Sequence, residues 1–246
     1  MEKSETIGSN RTGIDASPIH SKKMQSGVQD YAPSSGDGNQ IEAIRREQLE
    51  RAERLGSVPL PGTAKGMLKT MLKKFTGHQP ATFVNKLGER LAYERTGVRI
   101  YEALILKCQV ANSQGETRFD LPLDQLVTFC AEEGKHFRLL IDCMEQLGVD
   151  PTAQTPDADV SGVASSGMLK VITDPRTTIS QCLETMLAVE LTDNAAWELL
   201  IQLAQDLGQG EMASKFEEAL AEEQIHLDEI RAWYEQSVRA QAGTTH

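Results

Sequence analysis

Six residues of this chain combine types and spacings that could hold metal ions: Glu94, Glu133, His136, Glu190, Glu223 and His226. Glu133 and His136 stand three apart, as do Glu223 and His226. On an α-helix that spacing leaves the two side chains about 60° apart around the axis, so each Glu and its His share a face. Both pairs sit in the same longer string, Ala131-Glu132-Glu133-Gly134-Lys135-His136 and Ala221-Glu222-Glu223-Gln224-Ile225-His226. Glu94 and Glu190 occur singly, followed seven residues on by Tyr101 and Trp197. The two halves therefore read as an internal repeat. Carboxylates with one imidazole per metal suit iron or manganese, and a donor set without thiolates disfavours zinc and copper(I).

The elements that must position these groups are long helices. Apolar periodicity predicts helix one over about 82–112, with Leu87, Leu91, Val98, Tyr101, Leu104, Ile105 and Cys108 on one stripe. Helix two is expected over about 120–147, closed by Gly148, helix three over about 178–207, and helix four from the Gly208–Gly210 turn to about Ala240. Between helices two and three runs a connection from Val149 to about Arg176, rich in Ser, Gly and Pro. Two hairpins joined by such a crossover are one of the standard connectivities of a four-helix bundle. All six residues interrupt the apolar stripes. An isolated ionised carboxylate in a core is costly unless paired or metal-bound, and these stripes supply no Arg or Lys. Two divalent cations would balance the four carboxylates.

Composition supports an all-α reading and narrows the function. Aromatic residues make up only 5% of the 246 residues, lean for a large β-sandwich. The formal charge of -11 argues against nucleic acid as the main ligand. No stretch reaches the ~20 apolar residues of a membrane span, and the first thirty residues lack the apolar centre of a secretory signal. Four cysteines without a C-x-x-C pair exclude a zinc ribbon or rubredoxin-type knot, so a soluble, reduced, cytoplasmic protein is expected.

Charge also divides the chain: residues 1–80 carry 12 bases and 9 acids, whereas 81–246 carry 13 and 27. Residues 1–40 are polar and Gly/Ser/Pro-rich, an expected disordered tail. Residues 41–80 form a short helical extension. Its first helix opens with a capping box at Asn39 and Glu42, runs to about Leu55, and pairs Glu42–Arg46, Glu47–Arg51 and Glu50–Arg54. A second, Lys65 to Phe75, is basic and amphipathic; it either lies across the acidic bundle or touches an acidic membrane surface or partner. Residues 81–246 form the bundle.

On these motifs residues 82–240 resemble the ferritin-like superfamily, which includes ferritins, bacterioferritins and rubrerythrins. The resemblance implies a left-handed four-helix bundle in which Glu94, Glu133, His136, Glu190, Glu223 and His226 hold two Fe ions, or manganese. Glu133 together with Glu190 or Glu223 would bridge them, and Tyr101 would be the catalytic tyrosine near the site. Trp197 stands where the pseudo-symmetric tyrosine would fall, which makes the two metal positions unequal. The eighty-residue N-terminal extension departs from a usual ferritin subunit, and no cysteine-rich module provides a self-contained rubrerythrin-type peroxidase.

The expected function is therefore a di-iron oxidoreductase of ferroxidase or peroxide-reducing type, taking dioxygen, peroxide or ferrous iron, with homo-oligomerisation open. Two alternatives stand beside it. One is a di-iron oxygenase on an organic substrate; the other is a storage, cargo or adaptor protein whose tail recognises a protein partner. Other residues read as bland: His20, His78 and His246 in tail or loops, the cysteines as small core residues, and Glu132 and Glu222 as solvated. Asp193, one turn beyond Glu190, either orients a ligand histidine or faces solvent.

Overall fold

The computed structural model describes residues 17–31, 39–59, 80–114 and 121–243. Among these residues there are seven helices and no strand: α1 Pro18–Asp30, α2 Asn39–Arg51, α3 Pro80–Ser113, α4 Leu123–Gln146, α5 Pro156–Thr173, α6 Ile179–Asp206 and α7 Gly210–Ala242. Helices α1 and α2 belong to one compact unit, α3 to α7 to another.

The first unit departs from the sequence expectation. Part of the tail expected to lack structure is helical, opened by Pro18 in the first turn of α1, where its missing N–H costs nothing. No residue of α1 is buried, in keeping with its polar composition. Helix α2 stops at Arg51 rather than Leu55 and carries the Glu42–Arg46 and Glu47–Arg51 ion pairs, both at 2.9 Å. The amphipathic stretch Lys65–Phe75 lies outside the described residues.

The second unit is a bundle of α3, α4, α6 and α7, each within a residue or two of its expected span except at the start of α4. At about 1.5 Å per residue these helices run some 36–50 Å. Helices α4 and α6 end alike. Gly148 (φ 75°) and Gly208 (φ 68°) occupy the left-handed region, and Val149 N donates to Met144 O while Gln209 N donates to Ala204 O, at 2.9 and 2.8 Å. This double hydrogen-bonded stop reverses the chain in the α4–α5 connection and the α6–α7 hairpin.

The crossover is itself a helix, α5, packed along α3. Thr155 caps it, accepting from Ala158 N at 3.4 Å, and Pro156 sits in its first turn. Its Ser and Gly residues argue for a loop by propensity, yet Ser161 and Ser165 are buried while Gly162 and Gly167 lie open. Side chains of the four long helices form two apolar clusters. One contains Leu87, Leu140, Trp197 and Phe216, the other Leu104, Leu126, Met186 and Ile230. The polar residues described next lie on the same inward stripes, between the two.

Candidate metal centre

The four long helices bring all six sequence-predicted residues together. Glu94 comes from α3, Glu133 and His136 from α4, Glu190 from α6, and Glu223 and His226 from α7, all buried. Glu223 is central: Oε1 lies 2.7 Å from His136 Nδ1 and Oε2 lies 3.1 Å from His226 Nδ1. Glu94 approaches His136 Nδ1 at 3.7 Å. Glu133 and Glu190 approach His226 Nδ1 at 3.8 and 3.9 Å. Two overlapping donor sets that include a histidine result, Glu94–His136–Glu223 and Glu133–Glu190–Glu223–His226, and a third, Glu94–Glu133–Asp193–Glu223, overlaps both; in each the atoms lie within 4.8 Å of one another.

Backbone details hold this arrangement. A Cβ on Gly97 would come within 2.1 Å of Glu133 Oε2, so only glycine lets that carboxylate lie against α3. Asn194 donates to Glu190 O and Glu223 O, both at 3.0 Å, locking α6 to α7 beside the ligand pair. Neither residue carries a sequence signal strong enough to single it out.

Glu132 and Glu222 are not solvated bystanders, contrary to the sequence reading. His226 Nε2 lies 2.8 Å from Glu132 Oε2, and His136 Nε2 lies 2.8 Å from Glu222 Oε2. Each Glu of one Ala-Glu-Glu-x-x-His string therefore grips the imidazole of the other string. The neighbour preceding each inward Glu lies toward the adjoining helix, where it meets the far edge of the opposite ring. Such contacts fix which ring nitrogen is free, turning both Nδ1 atoms toward the carboxylates. Lys135 Nζ adds an ion pair to Glu222 at 2.5 Å; the repeat has Ile225 at the equivalent place.

A second correction concerns charge. The expectation that no base enters the interior is overturned by Arg90, 1% exposed, with Nε 3.2 Å from Glu94 Oε1 and Nη1 2.8 Å from Asp193 Oδ1. Asp193 is fully buried and pairs with this guanidinium, so it neither faces solvent nor orients a histidine. Arg90 precedes Glu94 by one turn and shares its stripe.

These contacts set the protonation. Burial works against charge on Arg90, but Asp193 and Glu94 more than offset it and the guanidinium stays charged. Burial and then Glu223 push Glu190 up to about 8. Burial, with Asp193 beside Glu94 and Glu223 beside Glu133, lifts both of those carboxyls well above the usual range. Burial would also raise Glu223, but hydrogen bonds from His136 and His226 outweigh it and hold it at about 2. Burial opposes charge on His226, yet Glu223 raises it to about 9, and His136 is raised likewise. Without a cation the interior is thus neutralised by protons that any bound metal must displace.

Tyr101 is fully buried and donates to Glu190 Oε1 at 2.6 Å, so the phenol touches a candidate ligand. The residues fit a metal site on their own geometry. Both oxygens of Glu133 and Oε2 of Glu190 have no hydrogen-bond partner although fully buried, which leaving water would penalise without a cation. With Arg90 set against Asp193, four glutamates remain, a charge that two divalent ions balance. His20 lies at the surface on Ser17, 2.7 Å away; Cys108, Cys143 and Cys182 are buried and Cys130 half-buried. His78 and His246 fall outside the described residues.

Residues 125–239, from the first turn of α4 almost to the end of α7, match the family model of the ferritin-like domain. With the bundle architecture this match supports membership of the ferritin-like superfamily. Searches of curated proteins and of solved structures returned no match.

Proposed function

We propose that this protein holds two iron or manganese ions in the bundle interior and reacts with dioxygen or peroxide, oxidising ferrous iron or removing peroxide. The observation that carries the reading is the pair of overlapping donor sets joined at Glu223, with each imidazole Nδ1 aimed inward. Glu94 and His136 would hold one ion and Glu190 and His226 the other, with Glu133 and Glu223 available to both. When bound, two reduced ions supply the electrons that reduce the oxidant. The chain's own residues do the rest. The two apolar clusters exclude water from the donors, Glu132 and Glu222 orient the imidazoles, and Tyr101 presents its hydroxyl proton at Glu190 Oε1.

A surface cavity of about 350 Å³ reaches His136 and Glu222 and is rimmed by Lys135, Arg138, Asp142, Lys215 and Glu218. Leu139 and Ala219 complete its lining, so the mouth is mixed in character. Anaerobic loading with ferrous iron, followed by oxygen or hydrogen peroxide, tests the proposal. Two irons oxidised per chain with consumption of oxidant is the expected result. Hundreds of irons retained per assembly would indicate storage instead, and no oxidation would refute the proposal.

A further inference from the structure

Arg90 has no task in a simple dinuclear centre, yet it occupies one side of the site. The guanidinium cannot swing to solvent. It is fully buried, its carbon lies 4.4 Å from the centre of the Tyr93 ring and 5.9 Å from that of Trp197, and Nη1 also donates to Asp193 O at 3.3 Å. Among the described residues its ion pairs are with Glu94 and Asp193. Aligning the internal repeat on Glu94 and Glu190 shows how one-sided this is. Met186 falls at the equivalent of Arg90, and Gly97 at the equivalent of Asp193. The half of the site built on Glu190 and His226 therefore has a thioether and a glycine where the half built on Glu94 and His136 has a charged pair.

We propose that Arg90 is a positioning residue that makes the two metal positions fill in order. The position of Glu133, Glu190, Glu223 and His226 loads first. The position of Glu94 and His136 loads second and more weakly, because a cation there must take Glu94 from a guanidinium already 3.2 Å away. Asp193 lies within ligand distance of Glu94, Glu133 and Glu223, but its contact with Arg90 at 2.8 Å makes it the holder that keeps Arg90 paired once Glu94 turns to the metal. A cation and a guanidinium compete for the same carboxylate oxygens, and in a low-dielectric interior neither charge is screened by water. This inference rests on the dinuclear reading and refines it.

The test is an anaerobic titration of the metal-free, full-length protein with manganese(II), following free ion by its six-line paramagnetic resonance signal. The wild type should bind in two steps of unequal affinity, with isolated ions at one equivalent and spin-coupled pairs at two. Glu94→Ala should abolish the weak step and spare the tight one; Glu190→Ala should damage the tight step. The double variant Arg90→Met with Asp193→Asn removes the pair together, leaving no buried charge unpartnered. It should tighten the second step by about tenfold or more, the scale of one hydrogen bond to a charged group. Asp193→Asn alone leaves Arg90 to Glu94 and should weaken that step. Equal affinities in the wild type, loss of the tight step in Glu94→Ala, or a second step no tighter in the double variant would each overturn the ordering. If the wild type binds no manganese and no iron, the dinuclear reading itself fails.

Discussion

Replacing Glu132 with Ala removes the acceptor that holds the His226 ring without touching any residue that faces the metal positions. The contact is 2.8 Å long between Nε2 and Oε2, and the Glu132 side chain is 28% exposed. A hydrogen bond to a charged group is worth roughly 1.5–3 kcal/mol, and partial exposure lets water replace some of it. Loss of such an orienting partner lowers metal affinity by about 10–100-fold. We expect Glu132→Ala to fall in that range for the ion held by His226. The matching variant Glu222→Ala should lose less, about tenfold, because Lys135, 2.5 Å away, already draws on the Glu222 charge that His136 shares. Glu132→Gln keeps a carbonyl acceptor and should lie between wild type and Glu132→Ala. Anaerobic cobalt(II) titration, read by its visible ligand-field bands, gives each affinity directly. Wild-type affinity in both Ala variants would refute the reasoning that these outer carboxylates set the imidazoles.

Three further outcomes follow from the same geometry. Glu190 (about 8 against an ordinary 4.5) and His226 (about 9 against 6.5) retain protons in the folded, metal-free protein that the unfolded chain releases. Stability should therefore fall as pH rises from about 5 towards 9, and metal should restore it at the alkaline end; a melting temperature that climbs with pH without metal would contradict this. Glu223 acts in the opposite sense, its contribution fading as pH drops from 4.5 towards 2, which puts the maximum near pH 5. Gly97→Ala should leave the helical circular dichroism intact, since Ala favours a helix by about 1 kcal/mol over Gly. It should nevertheless cost at least one equivalent of metal by displacing Glu133, and full stoichiometry would refute that close approach. Tyr101→Phe should change oxidation kinetics while keeping metal content within about twofold, because the phenol meets Glu190 and no candidate ion directly; identical kinetics would remove it from the chemistry.

The sequence displayed the bundle and its inward acids for one reason: helical periodicity makes a polar residue on an apolar stripe visible. Glu94, Glu133, His136, Glu190, Glu223 and His226 each break such a stripe. What it hid depended on partners from other helices. Glu132 and Glu222 sit one residue off the stripe, and only the crossing of α4 and α7 brings each to the opposite imidazole. Arg90 stayed hidden because its burial depends on Asp193, which comes from α6. The crossover helix α5 was masked by Ser and Gly, residues that disfavour helix in isolation, although Ser161 and Ser165 are small enough to be buried there.

Counting metal ions in the protein tests the central claim most directly. Metal-free full-length protein, titrated anaerobically with ferrous iron and freed of unbound metal, should retain two ions per chain by elemental analysis. Glu223→Ala, which removes the carboxylate shared by both donor sets, should retain at most one. Fewer than half an equivalent in the wild type, or two equivalents still bound in Glu223→Ala, would contradict a dinuclear centre at these residues.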